Sequence, residues 1–398
     1  MKVEKIRLGD VADVITKGTT PTSIGYEFVN KGINFIKIES ITEDGAFIED
    51  KFAYITDECN KKLSRSRLQE NDILFSIAGA IGRVAIVDKN ILPANTNQAL
   101  AIIRVPKGAY EYNFLKYILK SPTIIKQFEK QKQGVAQINL SLKNIGDFEI
   151  PVISIEQQKK ISLELDKMTS LIDKRKKQLE KLDELVKSRF IEMFGDPTIT
   201  DKNRTYMPMT SICEIIDGDR GKNYPKQEEF YDEGYCLFLN ARNVTSNGFD
   251  FTNRMFITEE KDKLLRKGKL SRGDVVLTTR GTIGNLAYYS DDVTFDNVRI
   301  NSGMVILRMN HELVNEIFFV EQFKLQLAEI KEKVASGSAQ PQLPISTMNK
   351  IQMLIPEISK QKDFVSFVKQ TDKSKFEIKQ SLEKIELLKK ALMQKYFG

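Results

Sequence analysis

The sequence predicts a tandem pair of α+β domains, each followed by a long helix, with the two helices pairing as an intramolecular antiparallel coiled coil. Three observations carry this. The chain of 398 residues repeats itself at an offset near 202–205. Within each copy, the first part mixes short alternating apolar runs with turn residues and helix-like stretches. The last part of each copy is long, charged and apolar at four-three-four spacing, the period of a coiled coil.

The repeat can be followed element by element. "LGDVADVITKG" (8–18) corresponds to "MTSICEIIDGD" (209–219), and "GINFIKIESITEDG" (32–45) to "GYCLFLNARNVTSNG" (234–248). "FAYIT" (52–56) returns as "RMFIT" (254–258), and "NDILFSIAGAIGRVAIV" (71–87) as "GDVVLTTRGTIGNLAYY" (273–289). "GVAQINL" (134–140) returns as "GSAQPQL" (337–343). A period this long is a duplicated domain rather than a solenoid repeat. It sets the expected organisation: domain 1 over 1–155, helix 1 over 156–195, domain 2 over 196–356 and helix 2 over 357–398. Gly79 and Gly82, matched by Gly281 and Gly284, are expected to form a turn between two strands, where glycine accepts positive φ.

In the first helix the apolar positions are Ile161, Leu165, Met168, Ile172, Leu179, Leu182 and Val186. In the second they include Phe364, Val368, Ile378, Leu382, Ile385 and Leu392, ending near Tyr396. Polar residues interrupt both seams: Arg175 in one, Thr371 and Lys375 in the other, with Lys389 further on. Such residues either fix register or snorkel to the seam edge. Each helix is expected to cover roughly 30–35 residues, or about 45–50 Å. "FGDP" (194–197) ends the first, with Gly195 at the C-cap position and Pro197 beyond it.

Composition narrows the chemistry. With 61 basic and 54 acidic side chains the net charge is +7, spread over both halves, which favours an anionic partner only slightly. Cys59, Cys213 and Cys236 are scattered and His311 is the only histidine, so neither a zinc site nor a histidine-based triad can be assembled. No signal-peptide core and no membrane span is legible, so a cytoplasmic protein is expected. There is no GxxxxGK[ST] loop and no dinucleotide fingerprint. The Asn/Asp-Pro-Pro-aromatic tetrapeptide of amino-methyltransferases is also missing. Asp291-Asp292 and Glu259-Glu260 lie in polar stretches and read as solvated surface. An enzyme in its own right is therefore the least favoured reading.

Taken together, the motifs resemble the specificity subunits of Type I restriction–modification systems. The resemblance rests on "KGTTPTS" (17–23), "DGDRGKNYP" (217–225) followed by "FLNARNV" (238–244), and the "GAIG" and "GTIG" turns. "AQINL" and "AQPQL", "EQQKKI" (156–161) and "MFGDP" (193–197) complete it. It implies a non-catalytic chain with two target-recognition domains that reads an asymmetric bipartite sequence in double-stranded DNA. It also implies docking of two modification (methyltransferase) subunits and of restriction (ATP-dependent translocase/nuclease) subunits. S-adenosylmethionine, ATP and Mg2+ would belong to those partners, with no cofactor in this chain. A rod of about 45–50 Å would span roughly 13–15 base pairs. A targeting subunit of a related fused methyltransferase–nuclease, or a structural adaptor with twin protein-binding domains, stays open beside it.

Recognition would fall to polar and basic residues in turn-rich stretches matched between the copies. In the first domain these are Lys17, Thr19, Thr20, Thr22, Lys37, Ser76, Arg83, Gln137 and Asn139. In the second they are Arg220, Lys222, Asn223, Tyr224, Asn240, Arg242, Thr279, Arg280, Gln340 and Gln342. Arginine can hold guanine and Asn or Gln adenine, while Lys and Thr more often hold phosphates. Gln137 and Gln340 have a structural alternative, capping a loop in both copies. The run "DKRKKQ" (173–178) is either a solvated helix face or a contact to spacer DNA or a partner.

Overall fold

The computed structural model describes residues 4–129, 139–335 and 342–398. The chain forms two compact units, Met1–Lys176 with Gln380–Gly398, and Lys177–Lys379. The first contains strands β1 (Lys5–Arg7), β2 (Val14–Lys17), β3 (Ile33–Ile36), β4 (Ala53–Ile55), β5 (Ile73–Ser76), β6 (Val84–Ile86), β7 (Ala94–Thr96), β8 (Leu100–Arg104) and β9 (Glu149–Pro151). Its helices are α1 (Leu8–Val11), α2 (Asp57–Lys62), α3 (Tyr112–Leu119), α4 (Pro122–Glu129), α5 (Leu142–Gly146) and the first part of α6 (Ile155–Phe194).

In the second unit the strands are β10 (Tyr206–Pro208), β11 (Cys213–Asp217), β12 (Cys236–Leu239), β13 (Val244–Thr245), β14 (Gly248–Phe249), β15 (Phe256–Ile257), β16 (Val275–Thr278), β17 (Leu286–Tyr288), β18 (Val298–Ile300), β19 (Met304–Met309) and β20 (Gln352–Leu354). Its helices are α7 (Met209–Ile212), α8 (Glu259–Leu264), α9 (Glu316–Ala335), α10 (Ile345–Met348) and α11 (Ile358–Phe397), whose last part belongs to the first unit.

Both units have the same topology. A four-stranded antiparallel sheet runs β2-β8-β5-β6 in the first and β11-β19-β16-β17 in the second. A three-stranded sheet accompanies each, β4-β3-β7 and β15-β12-β18, with a parallel pair inside it. Strand alternation explains the layering, because successive side chains leave opposite faces. Ile73, Phe75, Ala101 and Ile103 enter a core shared with α3, α4 and the long helices. Their neighbours Leu74, Leu100 and Ile102 face the three-stranded layer. The second unit repeats this with Val275, Leu277, Val305 and Leu307 on one face and Val276, Met304 and Ile306 on the other.

The long helices each run 40 residues, about 60 Å, which corrects the expected length. The gain comes from ends fixed by the domain. Gln158 accepts from the Glu111 backbone N–H at 2.8 Å and donates to the Ile153 carbonyl at 3.0 Å. Gln361 does the same with Asn315 and Pro356 at 2.9 and 2.8 Å. This is what the "EQQKKI" start accomplishes. At the other ends Phe194 and Phe397 are buried.

The helices pair antiparallel in each unit. In the first, Tyr396 Oη donates to Glu164 at 2.6 Å, and Ile161, Leu165, Leu392 and Phe397 share one cluster. In the second, Phe190 stands 5.4 Å from Phe364, and Lys375 Nζ lies 2.7 Å from Asp183. Ile172, Val186 and Val368 are buried, while Met168, Leu179, Leu182, Ile378, Leu382 and Ile385 are half-buried. Thr371 is buried with its hydroxyl on the Phe367 carbonyl at 2.9 Å. Burial opposes the charge on Lys375, but Asp183, with Asp372 and Glu321, outweighs it and raises the pKa. Lys389 has its pKa lowered by burial beside Lys116 and Lys176.

Candidate nucleic-acid interface

Strand register gathers the loops of each unit at one sheet edge. In the first, Lys17 stands opposite Ala101, Ser76 opposite Leu100 and Phe75 opposite Val84. The ends of β2 and β5 and the starts of β6 and β8 are therefore neighbours. Parallel pairing of β3 with β7 brings Lys37 to the same edge. The loops are stitched together: Gly18 N–H donates to Asn97 O at 3.2 Å, Ile77 N–H to Ala99 O at 2.9 Å, and Leu140 N–H to Ile77 O at 2.9 Å. A Cβ on Gly18 would lie 1.8 Å from the Thr96 carbonyl oxygen, so only glycine permits this approach.

The second unit builds the same edge. Thr279 N–H donates to Gly303 O at 2.9 Å and Leu343 N–H to Thr279 O at 2.9 Å, matching the Ile77–Ala99 and Leu140–Ile77 bonds of the first unit. Strand register shifts the match of 8–18 by one residue from the sequence alignment, so that Gly218 takes the place of Gly18, with a Cβ there 2.2 Å from Asn301 O. The glycine turns are hairpin loops, φ being +68° and +89° at Gly79 and Gly82 and +71° and +89° at Gly281 and Gly284.

Side chains on this common frame differ. Thr20 Oγ1 donates to Gln98 Oε1 at 2.5 Å; at the matched place Arg220 donates to Ser302 O at 3.3 Å and to Asp217 at 3.1 Å. Exposed Arg280 donates through Nε to Gln342 Oε1 at 3.2 Å, where the first unit has Ala78 and exposed Asn139. Lys37 lies 4.4 Å over the Phe28 ring, against Asn240 in the other copy, whose side chain accepts from Arg242 N–H at 2.9 Å. Thr22, Lys222 and Arg242 are exposed, while Lys17 and Thr19 are half-buried. Asn223 donates to Leu264 O at 3.2 Å. Asp219, absent from the sequence-based candidates, is buried and accepts from Gly221 and Arg266 backbone N–H groups at 2.7 Å. Burial opposes its ionisation, yet these backbone donors hold its pKa below the ordinary value.

Four candidates are taken up by the scaffold. Ser76 is fully buried, its hydroxyl donating to Ala80 O at 2.6 Å and accepting from Arg83 N–H at 2.7 Å. Thr279 is buried with its hydroxyl on Gly303 O at 3.0 Å. Arg83 Nη1 donates to Ile38 O and Ile41 O at 3.2 and 2.7 Å, as Asn285 does to Val244 O at 3.0 Å. Tyr224 packs against Phe238 at 5.7 Å. In each of these the side chain satisfies a local donor, acceptor or apolar surface. Gln137 and Gln340 lie outside the described residues. Sequence reasoning missed the 97–99 and 301–303 loops, although "NQA" and "NSG" occupy matched positions between strands.

Among the described residues no His, Cys, Asp and Glu group could hold a metal ion, and no helix is long and apolar enough to cross a membrane. Residues 1–184 and 202–389 match the Type I restriction modification DNA specificity domain. The chain is similar to the type I restriction enzyme MjaIX specificity subunit of Methanocaldococcus jannaschii, 26% identical over 377 residues, covering 89% of this chain and 82% of the relative. In fold it is similar to the Type-I restriction-modification system S subunit from M. genitalium, with a TM-score of 0.54 at 17% identity, covering 100% of this chain and 97% of that one. A chain from a structure of the complex assembly and conformational transition of the type I R-M system gives a TM-score of 0.59 at 16% identity, covering 100% and 99%. With both repeats matched and the two-domain, paired-helix architecture in place, the chain belongs to the type I restriction modification DNA specificity family, as a specificity subunit with target-recognition domains.

Proposed function

We propose that this chain recognises an asymmetric, bipartite target in double-stranded DNA, one half-site per unit. In the same reading it docks two modification subunits and the restriction subunits, and performs no chemistry itself. The observation that carries this is the loop edge built twice on one hydrogen-bond frame with different side chains: Thr20, Gln98, Ala78 and Asn139 in one unit, Arg220, Ser302, Arg280 and Gln342 in the other. One frame suits one kind of duplex, and unlike side chains read unlike bases. The division into 1–155, 156–195, 196–356 and 357–398 belongs to this proposal. So do a cytoplasmic location and the assignment of S-adenosylmethionine, ATP and Mg2+ to the partner subunits.

Spacer length is assigned here to the helices. One heptad added to both α6 and α11 would lengthen them by about 10.5 Å, or roughly three base pairs. The reading is tested by selecting duplexes from a random-sequence library with the chain assembled with its modification subunits. Enrichment of two unlike short motifs at a fixed spacing is expected. Enrichment of one continuous motif, or none above random duplex, would overturn it.

A further inference from the structure

We infer that Gln98, which is not among the sequence-based candidates, reads an adenine in the first half-site, with Thr20 as its positioning residue. The inference rests on the proposed DNA-reading role of the loop edge and names one specificity determinant within it.

Gln98 sits in the short loop between β7 and β8, exposed at the edge where the β2, β5 and 139–140 segments converge. Its backbone is held on both sides. Asn97 O accepts from Gly18 N–H at 3.2 Å, and Asn97 Oδ1 accepts from Ala99 N–H at 3.1 Å. Its side chain is aimed by the Thr20 hydroxyl, which donates to Oε1 at 2.5 Å from 78 residues away.

That one bond sorts the two ends of the amide. A glutamine oxygen has two lone pairs and its nitrogen two hydrogens. Thr20 uses one lone pair, and among the described residues the Nε2 group has no partner. What is left is one acceptor lone pair beside the amide N–H donors. Adenine presents the complementary pair in the major groove, an N6 amino donor beside the N7 acceptor. Guanine offers two acceptors there and would leave the Gln98 oxygen unpaired.

The second unit has the same contact in different chemistry. Ser302 stands in place of Gln98 and Arg220 in place of Thr20, and the bond runs from the guanidinium to a main-chain carbonyl. A serine is too short to offer the paired amide edge, so the adenine contact belongs to the first half-site alone.

The test is a methylation map of the genome in a host expressing the chain with its modification subunits, for wild type, Gln98→Ala and Gln98→Glu. In Q98A, one adenine position of one half-site is expected to relax by about ten- to a hundredfold in preference, with the other half-site unchanged. In Q98E, which keeps an acceptor and loses the donor, that position should turn toward cytosine, whose N4 amino group a carboxylate accepts from. Thr20→Val should relax the same position less than Q98A. An unchanged Q98A motif, or a loss of methylation at all positions together, would overturn the assignment. A wild-type map without two separated half-sites would overturn the underlying DNA-reading proposal, and this one with it.

Discussion

Arg299 Nε donates to Asp262 Oδ1 in the second unit at the place where, in the first, Asn95 Nδ2 donates to Asn60 Oδ1 at 2.9 Å. The surroundings match as well: Arg299 also reaches Leu265 O at 3.0 Å, and Asn95 reaches Leu63 O at 3.1 Å. One copy thus locks β18 to α8 with a buried ion pair, and the other locks β7 to α2 with neutral amides.

The pair makes the second unit the more acid-sensitive. Burial opposes ionisation of Asp262, but hydrogen bonds from Lys269 and Arg299 and the nearby Arg299 charge win, holding its pKa below the ordinary aspartate value of about 3.9. Its contribution is complete above that value and is lost as pH falls through the lower native pKa. Hydrogen exchange, corrected for intrinsic rates, should show β12 and β18 losing more protection on acidification than β3 and β7. Asp262→Ala leaves Arg299 buried without its carboxylate and should cost about 3–5 kcal/mol. The double variant Asp262→Asn, Arg299→Asn should cost less and remove the difference in acid response. Equal acid loss in both units would contradict this.

All three cysteines are buried, and burial pushes the thiols of Cys213 and Cys236 up to about 12. The thiolate is the reactive form, so alkylation of the native chain at pH 8 should leave both unlabelled. Labelling should appear only with denaturant, read by mass spectrometry of the peptides.

Within the second unit, apolar packing should outweigh the ion pair between the helices. Phe190 is fully buried, with Phe318 at 5.3 Å and Phe364 at 5.4 Å. Phe190→Ala should cost about 3–5 kcal/mol in urea unfolding. Asp183 is 71% exposed, so Asp183→Ala should cost about 1 kcal/mol or less despite the 2.7 Å contact with Lys375. The reverse order would mean that charge rather than packing holds the helices together there.

Two arginines near matched glycine turns should behave differently. Arg83 is bound to two backbone carbonyls, and Arg83→Ala should lower the stability of the first unit by roughly 1–3 kcal/mol. Arg280 is exposed and touches Gln342, so Arg280→Ala should leave thermal unfolding within about 1 kcal/mol of wild type while altering sequence preference. Thermal scans of the two variants separate these roles.

Local pattern made the architecture readable. The duplicated order located both units, the glycine pair announced β5–β6 and β16–β17, and the four-three-four seam predicted positions such as Leu165 and Val186 that are buried. Long-range pairing was not readable in the same way. That Gln98 meets Thr20 depends on β2 lying beside β8, which no short window of sequence encodes. Ser76 and Thr279 look like surface hydroxyls until their carbonyl partners are known, four and twenty-four residues away. The seam pattern alone suggests only about 30–35 residues per helix, because the ends at Phe194 and Phe397 are held by the domain cores rather than by the seam.

The division of labour between the two loop edges is tested most directly by methylation maps of two variants expressed with the modification subunits. One is Lys17→Ala with Thr20→Ala, the other Arg280→Ala with Gln342→Ala. Each variant is predicted to relax a different half-site and leave the other as in wild type. Relaxation of the same half-site by both, or of both half-sites by either, would contradict the account.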